Sequence, residues 1–521
     1  MKKLLLISLM IMAFIINVHA QTKLEISNVI SIELRNTGPI IEDHDVKGYY
    51  IFFQSDKIDK KTNEYTLRLT DQNLNNAKDI KFEDSKDIQL LESSYNGDGL
   101  MFTFYDQKAK TLENRLYGMD GKLKNTFTRD LDKRSQEMIV QFYSLGGEKG
   151  QNKALFAIEK NGFISVYPIR EKKQYIYEIN YYSTASKKQW TYSPEEGEKR
   201  ENAVFLGATD SIAVFEVLKF ERLLSKKSTS FITGFYLNNG KIAFEVPTTD
   251  SKYKLYPMNM AKLDSSSDFV LMGSYYDNDD RIMADKTLGL ATWRLSSKGK
   301  TVSSNYSSWE NDFSKFLNIN DKGKIDDIGY LYIHNILETN DGNFYAIGEG
   351  YKKSANAMGI AMNIGMSLLN HGASYSSGFT KIDITDLVLL KLNNNFKVTG
   401  ATIYNKNKNS IDLGTATDVN SGPALAAAIK VLGGFDYRFT QSNKDKSTFV
   451  VGYTDYVKSS DYKGLTFNSI TCNNNTVTTD KIELKSKATS TEIYPAKTGS
   501  VLVVDYFKKD KKLEAHMEKL N

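Results

Sequence analysis

A chain of 521 residues with 40% hydrophobic and 25% charged side chains has the make-up of a folded globular protein. Its 68 Lys and Arg stand against 63 Asp and Glu, a balance too even for the single-sign field that holds nucleic acid, so nucleic acid is excluded as a partner. With Cys472 as the one cysteine, no intrachain disulfide can form, and stability must come from the core.

The first element in chain order is an export signal. Lys2 and Lys3 precede an uncharged, apolar run from Leu4 to Ile16, and Val18 and Ala20 occupy the −3 and −1 positions of a cleavage site. The run is shorter than the roughly 20 residues that cross a bilayer. Residues 1–20 therefore read as a signal peptide, with Gln21 first in a mature chain that has no transmembrane span. A periplasmic, outer-surface or extracellular location follows, and the lack of Cys at the cleavage point argues against a lipid anchor.

From residue 21 to 521 the chain alternates short apolar runs with Asn, Asp, Gly and Lys clusters, the pattern of strands and turns. Lys23–Leu34 has strand-like alternation. A strand rich in apolar and aromatic residues then recurs: Tyr49–Phe53, Leu100–Tyr105, Ala154–Ile158, Ile212–Val217, Phe269–Tyr275, Phe344–Tyr351, Phe449–Tyr453 and Val501–Tyr506. A strand, tight turn and second strand follow several of these, as at Leu116–Leu123, Phe235–Ile242, Trp293–Lys300 and Leu390–Val398, with Asp-Gly or Asn-Gly supplying the positive φ of a hairpin. A β-unit at this period predicts an all-β fold, a β-propeller of seven or eight four-stranded antiparallel blades. The N-terminal strand would complete the last blade and close the ring. Trp-Asp, kelch and Ser-x-Asp-x-Gly-x-x-Trp blade motifs do not recur.

One late unit is about twice the usual length and carries two helix-like insertions, at 352–380 and 421–434. In the first, Ala357, Ala361 and Gly365 fall on one stripe that lets another helix approach closely, and together with Met366 they form a candidate interaction surface. In the second, Pro423 suits a first helical turn and Gly433 a stop.

The partial matches to catalytic and metal-binding motifs each lack the context their chemistry needs. Ser297–Lys300, Ser303–Asn305 and Lys497–Gly499 match the elements of penicillin-binding enzymes, but the first two share one turn, the wrong context for a helix-borne serine. Asp43-His44-Asp45 reads as a polar loop without a nucleophile, and Asp277–Asp280 as an acidic turn without the Gly and Glu of a calcium loop. No catalytic residue is assignable, and no cofactor or metal ligand set is expected. Cys472 reads as a buried apolar residue. The tyrosine pairs 49–50, 181–182 and 275–276 could stack on sugar rings, although on a strand one of each pair must face the core.

The Lys-Lys-Leu-Leu-Leu signal at 2–6, the single cysteine and the Tyr-, Asn- and Lys-rich β-repeat resemble an uncharacterised family of exported proteins from Bacteroidota, a domain of unknown function. The resemblance implies an envelope or surface location and no established activity. The function expected is a non-enzymatic binding or scaffolding module in the cell envelope, its partner another envelope protein or a glycan. The alternative is a carbohydrate-active enzyme, hydrolase or lyase, using carboxylates at the central channel.

Overall fold

The computed structural model describes residues 23–144, 152–171, 174–195, 200–221, 228–263, 266–282, 285–355, 380–413 and 422–520. Residues 1–20, expected to be a signal peptide, lie outside them.

Among the described residues, thirty-three strands are organised as eight four-stranded antiparallel blades. Setting aside β1 (Lys23–Ser27), blade 1 holds β2 to β5 (Gly38–Glu42, Asp45–Lys57, Thr62–Asp71, Lys78–Ser85), and blade 2 holds β6 to β9 (Ile88–Tyr95, Gly99–Asp106, Thr111–Gly118, Leu123–Asp130). Blade 3 holds β10 to β13 (Leu155–Ile158, Gly162–Glu171, Gln174–Ser183, Gln189–Tyr192), and blade 4 holds β14 to β17 (Arg200–Ala208, Ile212–Phe220, Ser228–Tyr236, Ile242–Pro247). Blade 5 holds β18 to β21 (Tyr253–Lys262, Phe269–Asp277, Gly289–Leu295, Thr301–Ser308). Blade 6 holds β22 to β25 (Tyr330–Glu338, Phe344–Ala355, Thr380–Leu392, Val398–Tyr404), with the short β26 (Asn409–Ile411) beside β24. Blade 7 holds β27 to β30 (Tyr437–Ser442, Thr448–Lys458, Lys463–Asn473, Thr476–Glu483). Blade 8 joins β31 to β33 (Ser490–Pro495, Ser500–Phe507, Lys512–Lys519) to β1, which pairs antiparallel with β33 in the register Leu24↔Ala515.

The first strands of neighbouring blades meet one another, β6 with β10, β14 with β18, β18 with β22 and β27 with β31, and so line a central channel. A separate apolar core fills each of the eight gaps between adjacent blades, including Val46, Tyr49 and Ile51 of blade 1 against Leu502, Val504 and Tyr506 of blade 8. The ring is therefore closed, and the blade count settles at eight.

Seven of the eight recurrent apolar runs form the second strand of a blade. The exception is Ala154–Ile158, which forms the short first strand of blade 3; Gly162–Glu171 takes second place. The two look alike because both are buried apolar runs. The four hairpins are the third and fourth strands of blades 2, 4, 5 and 6, and Gly121, Gly240 and Gly299 adopt positive φ (78°, 71° and 76°) at three of the turns. Both members of every tyrosine pair are buried, because each blade packs on both faces; Tyr49 and Tyr50, for example, enter the cores on opposite sides of blade 1. They are not available to stack on sugars.

Two helices are described. The first, α1 (Lys133–Ser144), was not expected; Asp132 Oδ1 accepts the Ser135 amide at 2.7 Å as its cap, and Ser135, Ile139 and Tyr143 form the buried stripe. The second, α2 (Gly422–Val431), is the expected 421–434 helix. It ends as foreseen, with Gly433 at φ 64° and its amide and that of Gly434 returning to the carbonyls of Lys430 and Ile429. Of the 352–380 insertion, residues 352–355 and Thr380 are strand ends of β23 and β24, not helix. The remainder lies outside the described residues.

Ile26 of β1 is buried between blades 8 and 1, whereas Glu25 is exposed. Ile26→Asp places an unpaired charge in that core and should cost about 3 kcal/mol or more. Denaturant unfolding should show the loss, while Glu25→Gln should change stability by less than about 0.5 kcal/mol.

Candidate functional site

A cavity of about 1020 Å³ opens on the channel between blades 3 and 6. Its position follows from one short strand. The register of β10 on β11 stops at Leu155↔Ser165, so the remainder of β11 has no inner strand beside it. Val166, whose amide still reaches the Ala154 carbonyl at 2.9 Å, is the last residue so paired. Pro168, which has no N–H to offer, faces the vacated edge and lines the cavity. Past the end of β10, β14 approaches the sheet instead and makes one parallel bridge, Tyr175↔Arg200, between blades 3 and 4.

The inner strands supply the walls. Phe156 of β10, Val204 and Phe205 of β14, Tyr256 and Met258 of β18, and Tyr330 and Tyr332 of β22 all face the space. Val204 is 50% exposed, a large apolar residue left open because its side of the strand is the channel. β14, β18 and β22 each carry a bulge, between Phe205 and Gly207, Pro257 and Asn259, and Ile333 and Asn335, which twists the strand and redirects its side chains. Leu425 and Ala426 of α2 cover one side, and Tyr351 fixes the helix start by donating to the Gly422 carbonyl at 2.8 Å.

The mouth is basic. Lys153, Lys286, Lys322, Lys324, Lys352, Lys353 and Lys430 line it, on α2, at strand ends or in loops of the face where the first strands begin. Burial, with Lys408 nearby, lowers the Lys352 pKa. Two carboxylates accompany them. Asp285 is clamped by the Arg281 guanidinium through both oxygens, at 2.8 and 3.1 Å, which holds its pKa down to about 2. Glu216, in β15 and 1% exposed, accepts one hydrogen bond from Ser230 Oγ at 3.0 Å. Burial outweighs that bond and pushes its pKa up to about 8, so at neutral pH it is a neutral acid.

Beneath the cavity lies a buried polar cluster. Lys406 Nζ, 0% exposed, sits 3.2 Å from Glu349 Oε1 and 2.5 Å from Asp436 Oδ2, and His334 Nε2 is 3.0 Å from Glu349 Oε2. Burial lowers the His334 pKa, so the imidazole is neutral and donates through Nε2. Burial would raise Glu349, but the His334 hydrogen bond and the Lys406 charge overcome it and keep the carboxyl ionised. Glu349 also accepts the amides of Asp436 and Tyr437, at 3.1 and 3.2 Å, where blade 7 begins. Glu92 does the same for blade 3, accepting the Ala154 and Leu155 amides and the Tyr143 hydroxyl. No nucleophile is bonded to His334 among the described residues, and the cluster acts as a joint between blades.

A family model matches residues 1–521. The chain belongs to the family of unknown function DUF6770. No curated protein matches it. Among solved structures it is similar to a quinohemoprotein alcohol dehydrogenase from Pseudomonas putida (10% identity, 95% of this chain and 77% of that one, TM-score 0.42). It is also similar to a post-proline cleaving enzyme from Rickettsia typhi (9%, 92% and 58%, 0.41) and the WD40 domain of SCAP from fission yeast (6%, 96% and 95%, 0.36). The chain thus spans little more than half of the post-proline cleaving enzyme. Strand order and interblade cores, not these likenesses, define the propeller.

Ala357, Ala361, Gly365 and Met366 lie outside the described residues. Asp43 and His44 form a left-handed turn (φ 48° and 70°) on the face opposite the cavity mouth. There Asp43 pairs with Lys444 of blade 7 and Lys160 of blade 3, at 3.3 and 3.9 Å, and the His44 carbonyl accepts from Gln441. The penicillin-binding elements are split between blades 5 and 8. Cys472 is buried, and among the described residues no group of three His, Cys, Asp or Glu is disposed to hold a metal. Neither Glu216 nor Lys406 carried a signal in the sequence, since nothing local distinguishes them from other charged residues.

Glu216 has a folded pKa above its unfolded one, so the folded state binds the extra proton and this group lowers stability as pH rises from about 4.5 to about 8. Glu216→Gln, which imitates the protonated acid, should be more stable than the parent at pH 8 and equal to it at pH 4.5, read as Tm against pH. Lys406→Met strands Glu349 and Asp436 without a counter-charge and should cost about 3–5 kcal/mol in urea unfolding at pH 7. The loss should be smaller at pH 5, because Asp436, whose pKa burial raises, can then take up a proton.

Proposed function

We propose that this chain is a non-enzymatic, exported β-propeller that acts as a binding module in the cell envelope, with the blade 3–6 cavity as its ligand site. One observation carries the reading: a large, preformed, mostly apolar concavity on the channel, with a few polar groups at its rim. The signal-like Lys2–Ala20 segment motivates export, with residues 21–521 forming the mature propeller. No helix among the described residues is long and apolar enough to cross a membrane.

Glycoside chemistry is the weaker reading. It needs an acid and a second, free carboxylate about 5–10 Å apart. Glu216 has the raised pKa of an acid, but Asp285, the other carboxylate lining the cavity among the described residues, is occupied by Arg281.

The test is a thermal-shift panel of glycans, peptides and lipids on the full chain and on Val204→Trp, which fills the cavity from an open wall position. At least one ligand class should raise Tm by several degrees in the parent and not in the variant. Identical profiles for the two proteins would remove the cavity as the site. Glycan turnover lost in Glu216→Gln would replace the binding module with an enzyme.

A further inference from the structure

We propose that the ligand of the central cavity is an anionic amphiphile: an apolar chain or ring body that ends in a single carboxylate or phosphate headgroup. This rests on the cavity being a ligand site and adds the chemistry of the occupant.

Two features on different elements support it. The first is the wall. Phe156, Val204, Phe205, Met258 and Leu425, with the rings of Tyr256, Tyr330 and Tyr332, give the interior a mostly apolar lining. Burying an alkyl or ring body there gains about 25 cal/mol per Å² of apolar surface. A sugar fits this lining poorly. Three of its side-chain amides and hydroxyls are already engaged, Asn152 with the Phe142 carbonyl, Thr287 with the Trp309 indole and Tyr351 with the Gly422 carbonyl, and ligand hydroxyls buried without partners cost about 1–3 kcal/mol each.

The second is the uncompensated charge at the mouth. Lys153, Lys322, Lys324, Lys353 and Lys430 line the site and none forms an ion pair with the described residues, although acidic side chains are as common as basic ones over the chain. Some lysines elsewhere are paired, as Lys219 is with Glu245 and Lys446 with Glu338, and others stand singly on the surface; what sets these five apart is that they converge on one apolar cavity. Asp285 is neutralised by Arg281, and Glu216 carries a proton at neutral pH, so neither carboxylate opposes an incoming anion. Lysines act as point charges, without the fixed fork of arginine, and no arginine lines the site. The arrangement suits any compact oxyanion, and so admits a fatty carboxylate or a lysophospholipid phosphate.

Titration calorimetry on the full chain, with each probe below its micelle concentration, tests this. The probes are palmitate, 1-palmitoyl lysophosphatidate, uncharged monopalmitin and maltohexaose, at about 50 and about 500 mM salt. The two anions should bind at least about tenfold tighter than monopalmitin at low salt, and that preference should shrink at high salt. Lys322→Glu/Lys324→Glu/Lys430→Glu should abolish the preference while retaining monopalmitin binding. The ratio of palmitate to lysophosphatidate affinity separates a free fatty acid from a phospholipid source. Monopalmitin binding as tightly as palmitate, salt-independent binding of the anions, or no binding of either anion overturns the proposal, and each is read on the unmodified chain. Maltohexaose binding lost in Val204→Trp would overturn the amphiphile but keep the cavity as a ligand site.

Discussion

Every blade here is apolar on both faces, so each must have a neighbour on each side. A linear stack of such sheets would leave two uncovered faces, and exposed apolar area of that size is a liability in water. Closure meets the requirement, and closure depends on β1 crossing to the C-terminal sheet, where Leu24 pairs with Ala515. The core between blades 8 and 1 then forms from residues nearly the whole chain apart, such as Val46 and Val504. Tyr506 ties the same seam through its hydroxyl to the Ile30 carbonyl at 3.0 Å.

Within that ring the blades are not equivalent, and the inequivalence makes the site. The first strands vary in length, but β10, with four residues, stops at Leu155↔Ser165 while its neighbour β11 runs on to Glu171. The vacated edge of β11 is covered from one side by α1, approached from the other by β14, and left open between them. Charged residues at blade joints play a different part from those at the cavity. Glu92 and Glu349 are spent holding backbone amides where the next blade starts, an arrangement that trades desolvation for fixed position. Glu216, with a single partner, has no such task.

Much of the architecture was legible because it rests on local periodicity. Val501–Tyr506 and Phe269–Tyr275 announce second strands through unbroken apolar runs, and Asp120-Gly121 and Asn239-Gly240 announce hairpins through the conformations that glycine allows. The β1 closure was legible for the same reason. What local pattern cannot carry is which strand of a blade a run becomes, and so Ala154–Ile158, a run like the other seven, turns out to be a first strand. The helix at 133–144 carries local signals, the Asp132 cap and the Ser135, Ile139, Tyr143 spacing, but these stand alone in a chain whose other local patterns read as strands. The site itself was not legible. Lys153, Lys322 and Lys430 converge through the ring from positions far apart in sequence, and the raised pKa of Glu216 comes from burial, which a neighbour list along the chain does not reveal.

The seam at β1 also has a temporal meaning. Seven blades can assemble as the polypeptide emerges, each docking on its predecessor, but the eighth requires the first strand to remain unengaged until the last hairpin arrives. The outer face of blade 1 is thus the last surface to be covered. Any factor that protects this molecule during biogenesis would find its substrate there, in the interval between making Phe53 and making Leu513.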